Sequence, residues 1–184
     1  MFKPRSNKEN KMPKQTSRQP ILYIFSGLPA TGKSTLPRVI AREFGAMHLR
    51  IDTIDEALRD LCSFDVQGEG YGLAYRIAAE NLRLRTNVVA DSCNPIELTR
   101  RGWEQVALDA DARFINIEVF CSDIDEHRRR AETRVSDVPG MTLPTWTDIV
   151  NRECHDWTVD RLNVDTAGKT AQSCATDLIA ELTA

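Results

Sequence analysis

IFSGLPATGKST, residues 24–35, sets four residues between two glycines and follows the second glycine with a lysine and two hydroxyls. The run before it, ILYIF at 21–25, is apolar and rich in β-formers, as a buried strand would be. Residues 35–44 have helical character. Strand, glycine loop and helix in that order are the setting in which G-x-x-x-x-G-K-[ST] binds phosphate. The chemistry explains the residue types. Backbone N–H groups pointing inward carry fixed partial positive charge for a polyphosphate, and Cβ atoms at Gly27 and Gly32 would hinder that approach. Leu28, Pro29, Ala30 and Thr31 complete the cradle, and Thr35 follows it. The helix starting near Lys33 adds its dipole and free N–H groups. Lys33 is expected to reach the β- and γ-phosphates of ATP, and the Ser34 hydroxyl to ligate Mg²⁺. Pro37, about one turn into the helix, is expected to distort it slightly for want of an N–H.

The bulk composition bounds the rest. The chain has 184 residues, 41% hydrophobic and 28% charged, enough for one domain with a real core. No run approaches a membrane span. The beginning of the sequence shows no apolar signal core, so a cytoplasmic location is expected. Charge is uneven: residues 1–20 carry six cations and one glutamate, net +5, leaving −8 on residues 21–184 out of a total of −3. The first twenty residues read as a disordered basic tail and 21–184 as a single domain. The acidic body argues against a nucleic-acid partner. Cysteines at 62, 93, 121, 154 and 174 show no metal-site or disulfide spacing, and the three histidines are isolated.

Downstream, 47–51 reads as a second strand with Asp52 at its carboxyl end, and 53–61 as a helix. Residues 62–72 look like a loop because Gly68, Gly70 and Gly72 lie close together. A helix is expected over 73–84 and a short strand over 88–90 ending in Asp91. Pro95 suits the first turn of the next helix, to about 108. A strand follows at 114–121, and an arginine-rich helix at 124–135. Residues 136–145, with Pro139, Gly140 and Pro144, look like a mobile loop. Residues 146–154 suggest a helix, 162–164 a last strand and 171–182 a last helix. Alternating strands and helices mean a parallel sheet with helices on both faces, and ligands there sit at the carboxyl ends of the strands.

Together these stretches resemble the P-loop kinases of the polynucleotide kinase, zeta toxin, chloramphenicol phosphotransferase and gluconate kinase group. The likeness rests on GLPATGKST, on LRIDTIDEALR at 49–59, on VVADSCNP at 88–95, and on an arginine-rich helix before a lid. It covers roughly 21–183. It is nearest to bacterial proteins of that group known only as predicted kinases, whose substrates are not generally established. The resemblance implies an α/β P-loop NTPase three-layer sandwich, sheet order 2-3-1-4-5, with an arginine-bearing lid at about 135–147. It implies Asp52 as general base toward a substrate hydroxyl, a role an ionised carboxylate near the γ-phosphate can fill. The other reading of Asp52 is the N-cap of a helix that starts at Thr53, and Asp55 is a weaker candidate base. Arg59 stands farther from Asp52 than the acceptor-contacting arginine of polynucleotide kinases, and an exposed arginine is its alternative. Asp91 is assigned to Mg²⁺ through a water or to the acceptor, with Ser92 and Asn94 adding polar contacts. Arg130 and Arg134, four apart on one helix face, are chosen for the γ-phosphate, with Arg128 secondary. NVDTAG at 163–168 resembles the turn near adenine. Tyr71 and Tyr75 are acceptor-pocket or packing residues.

The leading expectation is an ATP- and Mg²⁺-dependent kinase acting on a small-molecule hydroxyl. A 5′-hydroxyl polynucleotide kinase is the second reading, and a nucleotide-binding switch without phosphotransfer the third.

Overall fold

The computed structural model describes residues 19–184. The basic tail assigned to 1–20 therefore lies, but for its last two residues, outside the described residues. The first strand, β1 (Ile21–Ser26), is followed by the glycine loop and a single 3-10 turn over Lys33–Thr35. Then come α1 (Leu36–Glu43), β2 (Met47–Arg50), α2 (Ile51–Cys62), α3 (Glu69–Arg83), β3 (Val88–Asp91) and α4 (Glu97–Asp109). The chain ends with β4 (Arg113–Phe120), α5 (Ile124–Thr133), α6 (Trp146–Val150), β5 (Leu162–Asp165) and α7 (Ala171–Thr183). All five strands pair in parallel, in the order β2-β3-β1-β4-β5. This is the P-loop NTPase fold, in the order the sequence reading expected.

β1 explains why the sheet is covered on both sides. Its side chains alternate. Leu22 and Ile24 join Val88, Ala90 and Leu49 in a core capped by Ala74, Ala78 and Leu82 of α3 and Trp103 of α4. Tyr23 and Phe25 join Val89, Ile117, Val119 and Val164 in a second core, capped by Leu36 and Ile40 of α1 and Leu178 of α7. Leu22, Ile24 and Phe25 are fully buried, each contributing about 1.5–3 kcal/mol. The strand is apolar from Ile21 to Phe25 because neither face meets water.

Several boundaries differ from expectation, and the differences matter at the site. Helix α2 begins at Ile51, one residue before Asp52, and its N-cap is Arg50. Asp52 is thus in the first turn, where a carboxylate complements the helix dipole, and is not an N-cap. Helix α3 begins at Glu69, so the glycines at 70 and 72 are helical. Gly70 is there for proximity: a Cβ would lie 1.8 Å from Asp55 Oδ1 on α2. Pro95 precedes the N-cap of α4 and lies outside its first turn. Pro37 is the second residue of α1, where an N–H would have no intrahelical partner, so it costs no hydrogen bond. The arginine-rich helix stops at Thr133 and leaves Arg134 extended as its C-cap. α6 is a short helix closed at its start by a Thr145–Asp148 capping box, and it ends before residue 154.

Candidate active site

The glycine loop is held from behind by four neighbours, Cys93, Thr166, Arg130 and His127. Gly27 N donates to the Cys93 carbonyl at 3.0 Å. Gly27 has φ +146°, and a Cβ there would stand 2.2 Å from the Val119 carbonyl oxygen of β4; no side chain fits. The Thr31 carbonyl accepts from Thr166 Oγ1 at 2.6 Å and from Arg130 Nη1 at 3.4 Å. His127 of α5 meets the Pro29 carbonyl at 2.9 Å and packs edge-on against Trp146. Gly32 has φ +89° and lies against Thr166 and Arg130.

Lys33 is buried and its Nζ sits 2.6 Å from Asp91 Oδ1. The other oxygen of Asp91 faces His48 Nε2 at 3.2 Å. Burial by itself would push the Asp91 carboxyl up, but the Lys33 ammonium and the His48 hydrogen bond outweigh it and hold the pKa at about 2. Lys33 is the mirror case: burial alone would lower its pKa, and the charge of Asp91 keeps it above the ordinary value. Ser34 and Thr35, next in the chain, are exposed.

A cleft of about 910 Å³ opens over this floor. Leu28, Pro29, Ala30, Gly32, Lys33, Ser34 and Thr35 form its base, and Asp52, Asp55 and Arg59 line it from α2. Arg130 and Arg134 line it from the end of α5. Gly27, Thr31 and Asp91 lie behind its wall.

The two arginines differ. Arg130 is engaged through both terminal nitrogens: Nη1 donates to Thr166 Oγ1 at 2.8 Å, and Nη2 donates to the Thr166 carbonyl at 3.0 Å and to Glu126 at 2.6 Å. It ties α5 to the glycine loop and to the turn after β5, within the NVDTAG stretch. Arg134 Nε and Nη2 are among the described buried atoms without a hydrogen-bond partner. Burial pulls its pKa below the ordinary value, although Cys93 and Asp52 act the other way.

On α2, Asp55 Oδ1 is buried and unpartnered, and burial raises its pKa while Arg59 opposes the shift. Arg59 is at the exposed rim and pairs with Glu56 at 3.1 Å. Arg128 is exposed and pairs with Glu132.

The remaining acceptor candidates are not in the cleft wall. Tyr75 donates its hydroxyl to the Thr99 carbonyl at 3.0 Å and packs edge-on against Trp103. The Tyr71 hydroxyl accepts from Asn94 N, and the Asn94 side chain donates to the Phe25 carbonyl. These three residues pack α3 and the β3–α4 connection against the sheet. Burial pushes both tyrosine hydroxyls up.

Sequence reasoning passed over three charged residues here. Arg38 of α1 and Arg50 at the end of β2 both grip Asp137, which belongs to the 134–145 segment between α5 and α6. Arg50 Nη1 is 2.9 Å from Asp137 Oδ1, and Arg50 Nε is 3.6 Å from Asp52. Only the adjacency of Arg50 to Asp52 could have been noticed in the sequence. His48, two residues before Arg50 on β2, meets Asp91, a contact that its isolated place in the sequence does not show.

The family model described as AAA domain matches residues 22–149, more than half of the chain. No curated protein matches. Among solved structures, a candidate kinase from Chloroflexus aurantiacus superposes with a TM-score of 0.69 at 20% identity, over 90% of this chain and 97% of that one. The APS kinase of Mycobacterium tuberculosis, solved with AMPPNP and APS, gives 0.68 at 16% identity, over 90% and 99%. A gluconokinase from Sinorhizobium meliloti gives 0.63 at 16%, over 90% and 93%. At these identities the likeness is one of fold.

Proposed function

This chain belongs to the AAA-domain family, and on that premise we propose that it is a kinase, moving the γ-phosphate of ATP to a hydroxyl of a small-molecule acceptor. One observation carries the reading. Lys33, Asp52 and Arg134, from the glycine loop, α2 and the end of α5, line one cleft, and Arg134 has buried nitrogens with no protein partner. A phosphoryl group entering the cleft supplies the missing partner. The fold is shared with kinases of small acceptors.

Each residue then has a task. Residues 27–35 cradle the phosphates with backbone N–H groups. Lys33 leaves Asp91 for the phosphates, and Arg134, with Arg130 behind the loop, offsets charge on the transferring group. Asp52 orients the acceptor hydroxyl and takes its proton. Asp55, whose proton is held more tightly by burial, is a polar contact to the acceptor, and Arg59 closes the rim.

Mg²⁺ fits the donors present. The exposed Ser34 hydroxyl at the base of the cleft would be a hard oxygen ligand, and Asp91, behind the wall, would act on the ion only through a water once Lys33 has left it. Among the described residues no three acidic, histidine or cysteine side chains gather to hold a metal; in the proposed site nucleotide and water supply most of the ligands. When bound, the ion neutralises charge on the phosphates.

No helix among the described residues is long and apolar enough to cross a membrane. The acidic body supports a small acceptor over a polynucleotide end. The test is γ-phosphate transfer from labelled ATP with Mg²⁺ into a pooled metabolite extract, with Lys33→Ala and Asp52→Asn run alongside. The expected result is a phosphorylated product lost in both variants. A product indifferent to Asp52→Asn removes the general base. AMPPNP binding with no product from any pool, oligonucleotides included, turns the reading to a nucleotide switch.

A further inference from the structure

The Arg38–Asp137–Arg50 cluster is not needed for the phosphate site, and its geometry is that of an oxyanion receptor. Each carboxylate oxygen of Asp137 meets a different guanidinium: Oδ1 meets Arg50 and Oδ2 meets Arg38. The two arginines sit on well-anchored elements, α1 and the end of β2. Their shared anion comes from a loop nearly ninety residues farther along the chain. Arg50 is largely enclosed, at 12% side-chain exposure, whereas Asp137 is 46% exposed. Arg50 is the enclosed, fixed part of this contact; Arg38, at 43%, is as open as Asp137 but is carried by a helix, so the loop carboxylate is the half that can leave.

The position of the cluster is informative. Arg50 spans the distance between Asp137 and Asp52, with Nη1 on the first and Nε toward the second. An anion held where Asp137 now sits is therefore one guanidinium width from the proposed base. The cleft as a whole is lined by Lys33 and six arginines against five carboxylates, in a chain of net charge −3. Removing Asp137 from it leaves Arg38 and Arg50 side by side with no shared counter-charge, a state that an incoming anion relieves.

We propose that the acceptor carries an oxyanion group within a few bonds of its reactive hydroxyl, and that Asp137 occupies the place of that group on Arg38 and Arg50 until the acceptor displaces it. This rests on the phosphotransferase reading and names its substrate class: a compact hydroxylated carboxylate, phosphate ester or sulfate ester. Neutral sugars and neutral nucleosides lack the group that Arg38 and Arg50 would hold.

The test is calorimetric titration of sulfate into protein already saturated with AMPPNP and Mg²⁺, at constant ionic strength, so that the glycine loop is filled. Asp137→Asn is expected to bind sulfate about tenfold tighter than wild type, because an intramolecular competitor at millimolar effective concentration is gone. Adding Arg38→Gln or Arg50→Gln to Asp137→Asn is expected to erase the gain. Arg38 lies on the exposed side of α1, so its variant stays informative if the one at Arg50 folds poorly. In the pooled transfer assay, the phosphorylated product is expected to derive from an anionic precursor. Equal sulfate affinity in wild type and Asp137→Asn, a gain that survives Arg38→Gln, or a neutral precursor would each overturn the proposal and leave the kinase reading standing. Failure of AMPPNP to bind would sink both.

Discussion

Asp91 carries two interactions in a place with almost no water. Its carboxylate is 2% exposed and bonded to Lys33 and His48. Its folded pKa of about 2 lies below the ordinary 3.8, so it contributes stability that is complete above about pH 4. That contribution is lost as pH falls through about 2. Lys33, shifted upward from 10.5, contributes stability complete below its ordinary pKa and lost at higher pH. Urea denaturation between pH 2 and 6 should show the acid loss in wild type and a flatter profile in a Lys33→Met, Asp91→Asn double variant. The double change avoids leaving one charge buried alone, which costs about 3–5 kcal/mol. Identical slopes would mean that the pair does not govern the acid limb. At this scale the sequence was legible wherever chemistry was local: the loop glycines, Lys33 and Asp52 stand in one cleft or against its wall. Arg38, Arg50 and Asp137 were not legible, because each alone looks like an ordinary solvated charge and only folding brings them together.

α5 and the segment after it divide their labour between two arginines. Arg130 is inside the helix and spends its hydrogen bonds on Thr166, Thr31 and Glu126. Arg134 lies beyond the last turn with nitrogens unsatisfied. Substituting them should therefore act in opposite ways. Arg130→Met should lower stability by about 1–3 kcal/mol, as buried partners are stranded. Arg134→Met should leave stability unchanged or raise it by about 1 kcal/mol, while turnover falls at least about a hundredfold. Thermal melts beside transfer rates would show the split, and a large stability loss in Arg134→Met would refute it. The sequence pattern put both on one helical face; the helix ends too early for that, and Arg134 reaches the cleft by an extended backbone. A boundary also shifts at α3, which was expected to start at 73 after a loop over 62–72. Three glycines in five residues lower helix propensity, but packing against α2 needs a residue without a side chain at Gly70, and that contact pulls the helix back to Glu69.

Taken whole, the molecule is a parallel sheet in which buried polar groups such as Ser26, Lys33, Asp91 and Ser92 stand at or just beyond the strand ends, beside the glycine loop and Asp52. Ligand binding there should stabilise the entire fold, since α1, α2 and α5 all contribute to the cleft. At a hundred times its dissociation constant, AMPPNP with Mg²⁺ is expected to add about 2.7 kcal/mol, a rise in Tm of about 5–10 °C for a chain of this size. Lys33→Ala should abolish the rise; a shift that persists without Lys33 would place the nucleotide elsewhere. The sequence by itself determined the strand–loop–helix unit, the alternation of strands and helices, and the edge at which chemistry must gather. Those are set by short-range patterns: glycine conformational freedom, hydrophobic period, and the rule that parallel strands present their carboxyl ends together. Only the tertiary structure decided which charges share the cleft, that Asp137 bridges Arg38 to Arg50, and that Arg134 is left unpaired. Such pairings depend on segments far apart in the chain arriving within a few ångströms of each other, and no local pattern encodes that distance.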